Sequence, residues 1–411
     1  MGFDPECIRK DFPIFDKVDV IYFDNAATTQ KPKVVIDAVK EFYEEYNANI
    51  HRGLHDLSQR ASEAYEKAHE VLAKFIDAKD WREVIFVRNT TEAINLVAYT
   101  WGLKNLRKGD EVIVTVMEHH SNLIPWYIVC KKTGARMKFV RIRKEDGLLD
   151  YGHFEKSLTD RVRLVAITMM SNVLGTINDI KRIVEASRKI GALVLVDGAQ
   201  AVPHMPVSVR ELGADFLAFS GHKMLGPTGI GVLWSRIDIL EEMEPFQGGG
   251  DMIRSVRWID NYIEPKWNEL PWKFEAGTPN IAGGIGLSRA AEYLMKIGMN
   301  NVRKHEKKLT AYALKRLQEL EEKVEVYGPR RVENRGGIIS FNVRGLNPHV
   351  TAMLLNHYKI AVRSGFHCAQ PLHEFLGLKE GSTRASFYIY NTVEEIDTFV
   401  ETLARIAKEY T

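Results

Sequence analysis

The most constraining feature of this 411-residue sequence is the alternation of short apolar runs with helix-like segments between about residues 84 and 234. Most of the runs are apolar at nearly every position, which is typical of strands covered by helices on both faces of a sheet. We predict seven strands in this region, at residues 84–87, 111–116, 136–140, 162–168, 192–197, 215–219 and 230–234.

The segments between these runs include helix-like stretches at residues 91–103 and 178–190. Alternation of strands and helices favours an α/β fold with a mostly parallel seven-stranded sheet flanked by helices. In such sheets ligands bind where strands end and loops begin. We therefore expect functional side chains to follow the strands closely in sequence.

The pattern changes near residue 285, where a smaller α+β domain is predicted to begin. Its helix-like stretches are residues 286–297, 302–323 and 393–409, and its strand-like stretches are 324–327, 337–343 and 383–389. We predict a large domain over residues 21–285 and a small domain over 286–411. The segment 1–20 is expected to pack on the small domain.

Composition excludes several classes of protein. With 45% hydrophobic residues, 27% charged residues and a net charge of +2, the chain has an ordinary globular composition and gives no reason to expect nucleic-acid or membrane partners. It contains no apolar run of the roughly 18 residues that a membrane helix needs, and its charged N-terminus is unlike a secretory signal. We therefore expect a cytoplasmic protein.

The three cysteines, Cys7, Cys130 and Cys368, are far apart and odd in number. Their spacing fits neither a disulfide framework nor a zinc site, so no metal is expected. A free thiol persists in a reducing compartment, where it is available for chemistry.

A carboxylate and a lysine stand at the ends of two successive predicted strands. Asp197 lies in LVLVDGAQ, residues 193–200, and Lys223 lies in the SGHK turn, residues 220–223, before a glycine-rich stretch. A pyridoxal-phosphate site needs a lysine that bonds the cofactor aldehyde and a carboxylate that keeps the ring nitrogen protonated. Taken singly, Asp197 could be a helix N-cap and Lys223 a solvated side chain; together they favour the cofactor site.

The same region offers groups for the rest of such a cofactor. Gln200 is one helical turn beyond Asp197 and is placed to bond the ring oxygen, whereas Ser220 and His222 are candidates for the phosphate. Thr90 and Thr91 follow a strand and begin a helix, whose free N–H groups attract an anion. The alternative is an ordinary helix start with no ligand.

MEHHSN, residues 117–122, also follows a predicted strand. A neutral imidazole here could stack on a pyridine ring and move protons. The pattern alone leaves open whether His119 or His120 does so.

Taken together, the motifs resemble the group II, SUF-type cysteine desulfurases, a branch of the class V aminotransferase family with the type I pyridoxal-phosphate fold. The resemblance covers nearly the whole chain in order, and its RxGxHCA segment is specific to desulfurases of this branch. The motifs are FDNAATTQKP (23–32), HRGLHDLS (51–58), RNTTEAINLVA (88–98), MEHHSNLIPW (117–126), VDGAQ (196–200), SGHKMLGPTGIG (220–231), FEAGTPN (274–280), RSGFHCAQPL (363–372) and TRASFYIYNT (383–392).

The resemblance implies roles for individual residues. Lys223 resembles the lysine that forms the Schiff base with pyridoxal phosphate, and His119 the stacking histidine. Thr278 resembles a residue that reaches the phosphate of a neighbouring subunit, which implies a homodimer. The remaining matches are Asp197 and Gln200 at the ring, Thr90, Thr91, Ser220 and His222 at the phosphate, Asn172 and Arg384 at the substrate carboxylate, and His55 and Arg363 in the active-site wall.

Cys368 is the candidate sulfur acceptor. Its neighbours Arg363 and His367 can carry positive charge, and positive neighbours lower a thiol pKa from about 8.5 and increase the thiolate fraction. A free cysteine is otherwise often a small buried hydrophobic residue. Cys7 and Cys130 lack basic neighbours of this kind and are interpreted as structural.

The implied reaction converts L-cysteine to L-alanine and leaves a persulfide on Cys368. The persulfide would pass to a scaffold or carrier protein for iron-sulfur cluster assembly, and Lys223 and His119 would move protons. A selenocysteine lyase acting on L-selenocysteine is the nearest alternative, and a class V aminotransferase, which needs no thiol at position 368, is a second. An inactive adaptor is disfavoured by the joint presence of Lys223, Asp197 and Cys368.

Overall fold

A seven-stranded sheet forms the centre of the protein. The structure is a computed structural model that describes residues 3–410. Met1, Gly2 and Thr411, which belong to the predicted terminal segments, lie outside the described residues. From one edge of the sheet to the other, the strands are Val84–Val87, Gly231–Ser235, Phe216–Ser220, Leu193–Asp197, Val162–Thr168, Glu111–Thr115 and Arg136–Val140.

Six of these strands run in one direction, and Gly231–Ser235 is antiparallel to both of its neighbours. Successive side chains enter different cores: Ile85 packs in one hydrophobic cluster and Phe86 in the other. Both faces of the sheet are therefore buried, as the continuous apolar runs predicted. The predicted α/β fold with a mostly parallel seven-stranded sheet is confirmed.

Helices cover the two faces and form much of the C-terminal half. The segment predicted as one helix over 91–103 is a helix, Thr90–Val97, followed by a π-helical turn, Ala98–Gly102. The α-helices are Pro5–Arg9, Ile14–Lys17, Lys33–Glu45, Asp56–Phe75, Thr90–Val97, Leu103–Asn105, Ile124–Thr133, Tyr151–Ser157, Ile180–Arg188, Val209–Leu212, Ile237–Glu242, Ile281–Ile297, Met299–Gln318, Pro348–His357, Gln370–Leu376 and Val393–Tyr410.

A four-stranded antiparallel sheet organises the C-terminal half, with its own core around Leu309, Phe341 and Leu403. The domain boundary predicted near residue 285 falls inside the helix Ile281–Ile297, so the division into two domains stays a prediction. In order across the sheet, the strands are Val324–Tyr327, Ile338–Val343, Ser382–Ser386 and Arg363–Gly365.

The N-terminal segment contacts the C-terminal half. The ring of Phe12 packs edge-on against Tyr390 with centroids 4.7 Å apart, and Arg9 Nη1 lies 2.9 Å from Glu395 Oε1. Ile21–Tyr22 then pairs in parallel with Ile360–Ala361. The part of the chain that precedes the central sheet is therefore held by contacts with the C-terminal half.

An exposed hairpin of Ile253–Ile259 and Tyr262–Trp267 was not predicted from the sequence. Neither of its faces is covered, and the Trp258 side chain is 80% exposed. Over residues 3–410, none of the helices is both long enough and apolar enough to cross a membrane.

Candidate active site

A cavity of about 350 Å³ opens where the central strands end at their carboxyl side. A volume near this value is within the range of small-molecule sites. The predicted site residues that line it are Thr90, Thr91, His119, Asn172, Asp197, Gln200, Ser220, His222, Lys223, Arg363, Cys368 and Arg384. Residues from both halves of the chain therefore meet in one cavity.

Asp197 is the last residue of its strand and is buried between neighbouring strands, opposite Thr168 and Ala218. Its Oδ1 accepts a hydrogen bond from the backbone N–H of Ala199 at 3.0 Å. Burial raises the pKa of Asp197, while the Ala199 N–H and the charge of Lys223 act in the opposite direction. A cationic ligand group beside this carboxylate would favour its ionised form and so offset the effect of burial.

Lys223 ends a short 3₁₀ turn, Gly221–Lys223, that directly follows the strand Phe216–Ser220. Burial lowers the pKa of Lys223 to about 8, and the Asp197 carboxylate partly opposes that effect. A lysine amine with a lowered pKa is more often neutral near pH 7, and the neutral amine is the form that attacks a carbonyl carbon.

Hydroxyl groups gather at the start of the helix Thr90–Val97. Thr90 N donates to Ser220 Oγ at 2.9 Å, and the hydroxyls of these two residues lie 2.7 Å apart. The Thr91 hydroxyl lies 2.6 Å from that of Ser121. Hydroxyls and unpaired N–H groups at the positive end of a helix suit a phosphate.

His119 and His120 have different surroundings, which the sequence did not distinguish. His119 lines the cavity, and its Nδ1 accepts from Ser121 N at 3.0 Å, which leaves the ring proton on Nε2. Burial lowers the pKa of His119 to about 3, so the ring is neutral. The backbone N–H of His120 instead donates to the Cys368 carbonyl at 2.7 Å.

Gln200 lines the cavity and contacts the FDNAATTQKP segment, residues 23–32. Its Nε2 donates to the Ala26 carbonyl at 2.8 Å. Its buried Oε1 has no hydrogen-bond partner among residues 3–410. A buried oxygen without a donor is costly, and a ligand donor would relieve that cost.

A cluster of charged groups from distant parts of the chain forms one wall. Arg384 Nη1 donates to the Asn172 carbonyl at 2.8 Å, and its Nη2 lies 3.5 Å from Asp24 Oδ1. Arg363 makes a two-point contact with Asp24, with Nη2 2.8 Å from Oδ2. Burial lowers the pKa of Arg384 to about 10, so its guanidinium remains charged near neutral pH and can bind a carboxylate.

Cys368 lies in a strained loop at the mouth of the cavity. His367 and Cys368 both have positive φ, 49° and 55°, a conformation that costs a residue with a side chain about 1–3 kcal/mol. The loop is held by hydrogen bonds to both carbonyls: Asn172 Nδ2 donates to His367 O at 2.7 Å, and His120 N donates to Cys368 O. The exposed thiol is thus presented at the cavity by bonds from two other loops.

The structure corrects the expected source of positive charge near Cys368. His367 is buried, and burial lowers its pKa to about 2, so its imidazole is neutral. The cations that interact electrostatically with the thiol are Lys223, Arg363 and Arg384, whose pKa values it raises. The cysteine therefore faces a cavity with positively charged side chains, but its sequence neighbour His367 supplies none of that charge.

Two predicted residues do not line the cavity of their own chain. His55 is exposed and caps the helix Asp56–Phe75, where its Nδ1 accepts from Ser58 N at 3.2 Å. Thr278 lines a different cavity, together with Gly229 and Ile230. Their predicted roles, in the active-site wall and at a neighbouring subunit's phosphate, stay predictions that a second copy of the chain would have to satisfy.

Several residues that line the cavity or contact its lining were not singled out from the sequence. Asp24, which pairs with both arginines, is 339 residues from Arg363, and no local pattern links them. The FDNAATTQKP motif was part of the resemblance, but none of its residues was given a role. The cavity-lining residues without a predicted role are Ala26, Ala27, Asn89, Ser121, Thr168, Met170 and Ala199.

The residues of the cavity fit pyridoxal phosphate. Asp197 is a buried carboxylate able to pair with a protonated ring nitrogen, and Gln200 Oε1 is a buried acceptor that lacks a donor. Thr90, Thr91 and Ser220 supply hydroxyls at a helix start, and Lys223 supplies an amine. This combination of a carboxylate, hydroxyls and a lysine matches the chemistry of that cofactor.

Comparisons with known proteins agree with this arrangement. The aminotransferase class-V family model matches residues 21–399. The chain is 47% identical to a cysteine desulfurase of Haloferax volcanii, over 97% of this chain and 96% of that protein. It is 50% identical to a probable cysteine desulfurase of Halobacterium salinarum, over 97% and 95% of the two chains.

Among solved structures, the apo cysteine desulfurase of Thermococcus onnurineus superposes with a TM-score of 0.94 at 42% identity, covering 99% of this chain and 100% of that one. The cysteine desulfurase CsdA of Escherichia coli superposes with a TM-score of 0.91 at 37% identity, covering 100% of both chains. The similarity therefore extends over both halves of the fold.

Proposed function

This chain belongs to the class-V aminotransferase family and is a cysteine desulfurase that depends on pyridoxal phosphate, and we propose that Cys368 receives the sulfur that it removes from L-cysteine. The observation that carries the proposal is the meeting of Cys368 with Lys223 and Asp197 in one cavity. An aminotransferase needs no thiol at that place.

The chain's own residues divide the work of binding. Thr90, Thr91, Ser220 and His222 would hold the cofactor phosphate, and Asp197 and Gln200 would hold the ring. When bound, pyridoxal phosphate supplies an electron sink for the carbanion at the α carbon of the amino acid. Arg384, with Asn172 beside it and Arg363 in the same wall, would hold the substrate carboxylate.

The sulfur step uses the thiol and the bases of the cavity. The Lys223 amine takes the α proton, and the Cys368 thiolate attacks the substrate sulfur. A sulfur–sulfur bond forms as the carbon–sulfur bond breaks, and the electron pair of that bond stays with the carbon, which is protonated to give alanine. His119, with its proton on Nε2, would move a proton within the site.

The outer sulfur of the Cys368 persulfide must then be transferred to another molecule, which regenerates the Cys368 thiolate. Its exposed position at the cavity mouth suits transfer to a thiol of a scaffold or carrier protein, and we propose that this supplies sulfur for iron-sulfur clusters. We also propose a cytoplasmic location, because a persulfide-forming cysteine needs a reducing compartment.

The function is tested by measuring alanine and sulfide from L-cysteine, with and without a reductant. We expect alanine in both cases, but continued sulfide release only with a reductant that discharges the persulfide. Parallel assays with L-selenocysteine separate the alternative: a strong preference for selenium together with negligible alanine from cysteine would identify a selenocysteine lyase.

Asp197→Asn should fold normally and bind the cofactor but lose at least about 100-fold in kcat, a loss typical of removing a key electrostatic group. The amide cannot supply the negative charge that keeps the ring nitrogen protonated. Steady-state kinetics, the visible spectrum and a melting curve check this. Asp37→Asn, at an exposed helix position, is the matched control, and near-normal turnover of Asp197→Asn would remove Asp197 from its role.

We also propose a homodimer in which Thr278 reaches the phosphate of the neighbouring subunit. Thr278 lies outside its own chain's cavity, which leaves it available to a second copy. We expect light scattering to give a dimer, and Thr278→Val to weaken cofactor binding by about tenfold through loss of one hydrogen bond to a charged group. A monomer that binds the cofactor tightly and turns over would contradict this prediction.

A further inference from the structure

The backbone carbonyl of His222 accepts hydrogen bonds from four donor groups of residues 28–31. Thr29 N lies at 3.0 Å, Thr28 Oγ1 at 3.0 Å, Thr29 Oγ1 at 3.2 Å and Lys31 Nζ at 2.9 Å. This carbonyl belongs to the peptide bond that joins His222 to Lys223. A carbonyl oxygen has two lone pairs, so this oxygen is surrounded by more donors than an ordinary backbone bond requires.

The same segment also holds the backbone after Lys223. Thr29 Oγ1 accepts a hydrogen bond from Leu225 N at 2.9 Å. Leu225 has a φ of 67°, the left-handed region that a leucine adopts only when surrounding bonds hold it there. The turn that carries Lys223 is therefore fixed on both sides by residues of FDNAATTQKP.

Lys31 is the charged member of this contact. Its ammonium also donates to the Thr29 carbonyl at 2.6 Å, and the structure gives it no ion pair within residues 3–410. Burial lowers the pKa of Lys31 to about 7. Placing a lysine here costs desolvation free energy, because its amine is partly buried and bonds only to uncharged oxygens.

The segment is itself anchored to the C-terminal half. Ala26 N donates to Ser386 Oγ at 2.8 Å, two residues beyond Arg384 on the same strand. Tyr22 Oη donates to the Thr28 carbonyl at 2.8 Å. Residues 26–31 therefore connect the wall that carries Arg384 to the turn that carries Lys223.

We propose that Lys31 is a positioning residue, which together with Thr28 and Thr29 fixes the backbone around Lys223 so that the Lys223 amine enters the cavity in one orientation. The proposal rests on the proposed function in one respect, that Lys223 bonds the cofactor. It assigns no contact between Lys31 and substrate or cofactor.

The test is the recombination of the cofactor-free full-length chain with pyridoxal phosphate, followed by the visible band. For Lys31→Met we expect a rate and an affinity each about tenfold lower, since one charge-assisted hydrogen bond is lost. Lys31→Arg keeps the charge and donors and should stay within about threefold of the wild type. Lys33→Met, at an exposed lysine two residues on, is the matched control and should match the wild type.

A second readout separates positioning from general stability. On the cofactor-free chain, labelling of Lys223 by an amine-reactive reagent, compared with labelling of the exposed lysines of the same molecule, should change in Lys31→Met but not in Lys33→Met. Melting curves identify variants that fold. In the loaded enzyme the loss should fall on kcat rather than on KM, because Lys31 does not touch the substrate.

Recombination and labelling of Lys31→Met within twofold of the wild type would overturn the proposal, and so would an arginine variant as slow as the methionine variant. If Lys31→Met does not fold, Thr28→Val decides: it removes one donor and should slow recombination about threefold, whereas a wild-type rate would refute the proposal. Neither measurement uses cysteine, so both are independent of desulfurase activity. If Lys223→Ala formed the same cofactor band, the role of Lys223 would fail instead.

Discussion

Cys368→Ala should abolish sulfur release from L-cysteine while leaving the cavity able to bind cofactor and substrate. Sulfur leaves carbon poorly unless a nucleophile attacks it, and the loss of an enzyme's nucleophile typically costs at least about 1,000-fold in kcat. Arg384, Asn172 and Lys223 are unchanged, so the spectral change on adding cysteine should persist. Selenium leaves more readily, and cleavage of selenocysteine should survive in part.

The measurement is a paired assay of alanine formation from both substrates, with the cofactor spectrum recorded in parallel. Cys7→Ala is the matched control, because Cys7 is also an exposed free cysteine but lies outside the cavity. Alanine formation from cysteine at nearly the wild-type rate in Cys368→Ala would show that Cys368 is not the sulfur acceptor. The desulfurase reaction would then need another thiol.

Lys223→Ala should lose both the covalent attachment of the cofactor and turnover, by at least about 1,000-fold in kcat. The amine has two roles in the proposed reaction, as the group that bonds the cofactor and as the base that takes the α proton. Lys223→Arg is the sharper variant, because it keeps a positive charge near Asp197 but has no free amine. We expect it to fail as completely as the alanine variant.

Borohydride reduction followed by dialysis and mass spectrometry checks this result. The wild-type chain should retain the cofactor on the peptide that contains Lys223, and both variants should release it. Lys131→Ala, at an exposed helix position, serves as the control. A variant at position 223 that retains the cofactor after this treatment would show that another residue forms the bond.

The carboxylate and the lysine of the proposed cofactor site could be predicted from the sequence because their signals are local. Asp197 and Lys223 each follow an apolar run directly, and strands of a parallel sheet bring their ends to one edge. The predicted strands over 84–87, 136–140 and 162–168 match the observed bounds. In a sheet buried on both faces, apolar continuity predicts the strands whatever the partners are.

The exposed hairpin shows where that signal fails. Residues 253–267 mix charged, polar and apolar side chains on two exposed faces, so no continuous apolar run marks them as strands. The Asp-Asn pair at residues 260–261 favours a turn, and Asp260 adopts a positive φ of 49° there.

The sequence by itself determined the fold class and the cofactor chemistry and predicted the reactive thiol, because the motifs that indicate each of them are local in the chain. Only the tertiary structure decided which groups surround that thiol. Asp24 pairs with Arg363 across 339 residues, and burial keeps His367 neutral although it stands next to Cys368. Charge state and long-range pairing depend on desolvation and on the meeting of distant segments, and neither is encoded in the spacing of neighbouring residues.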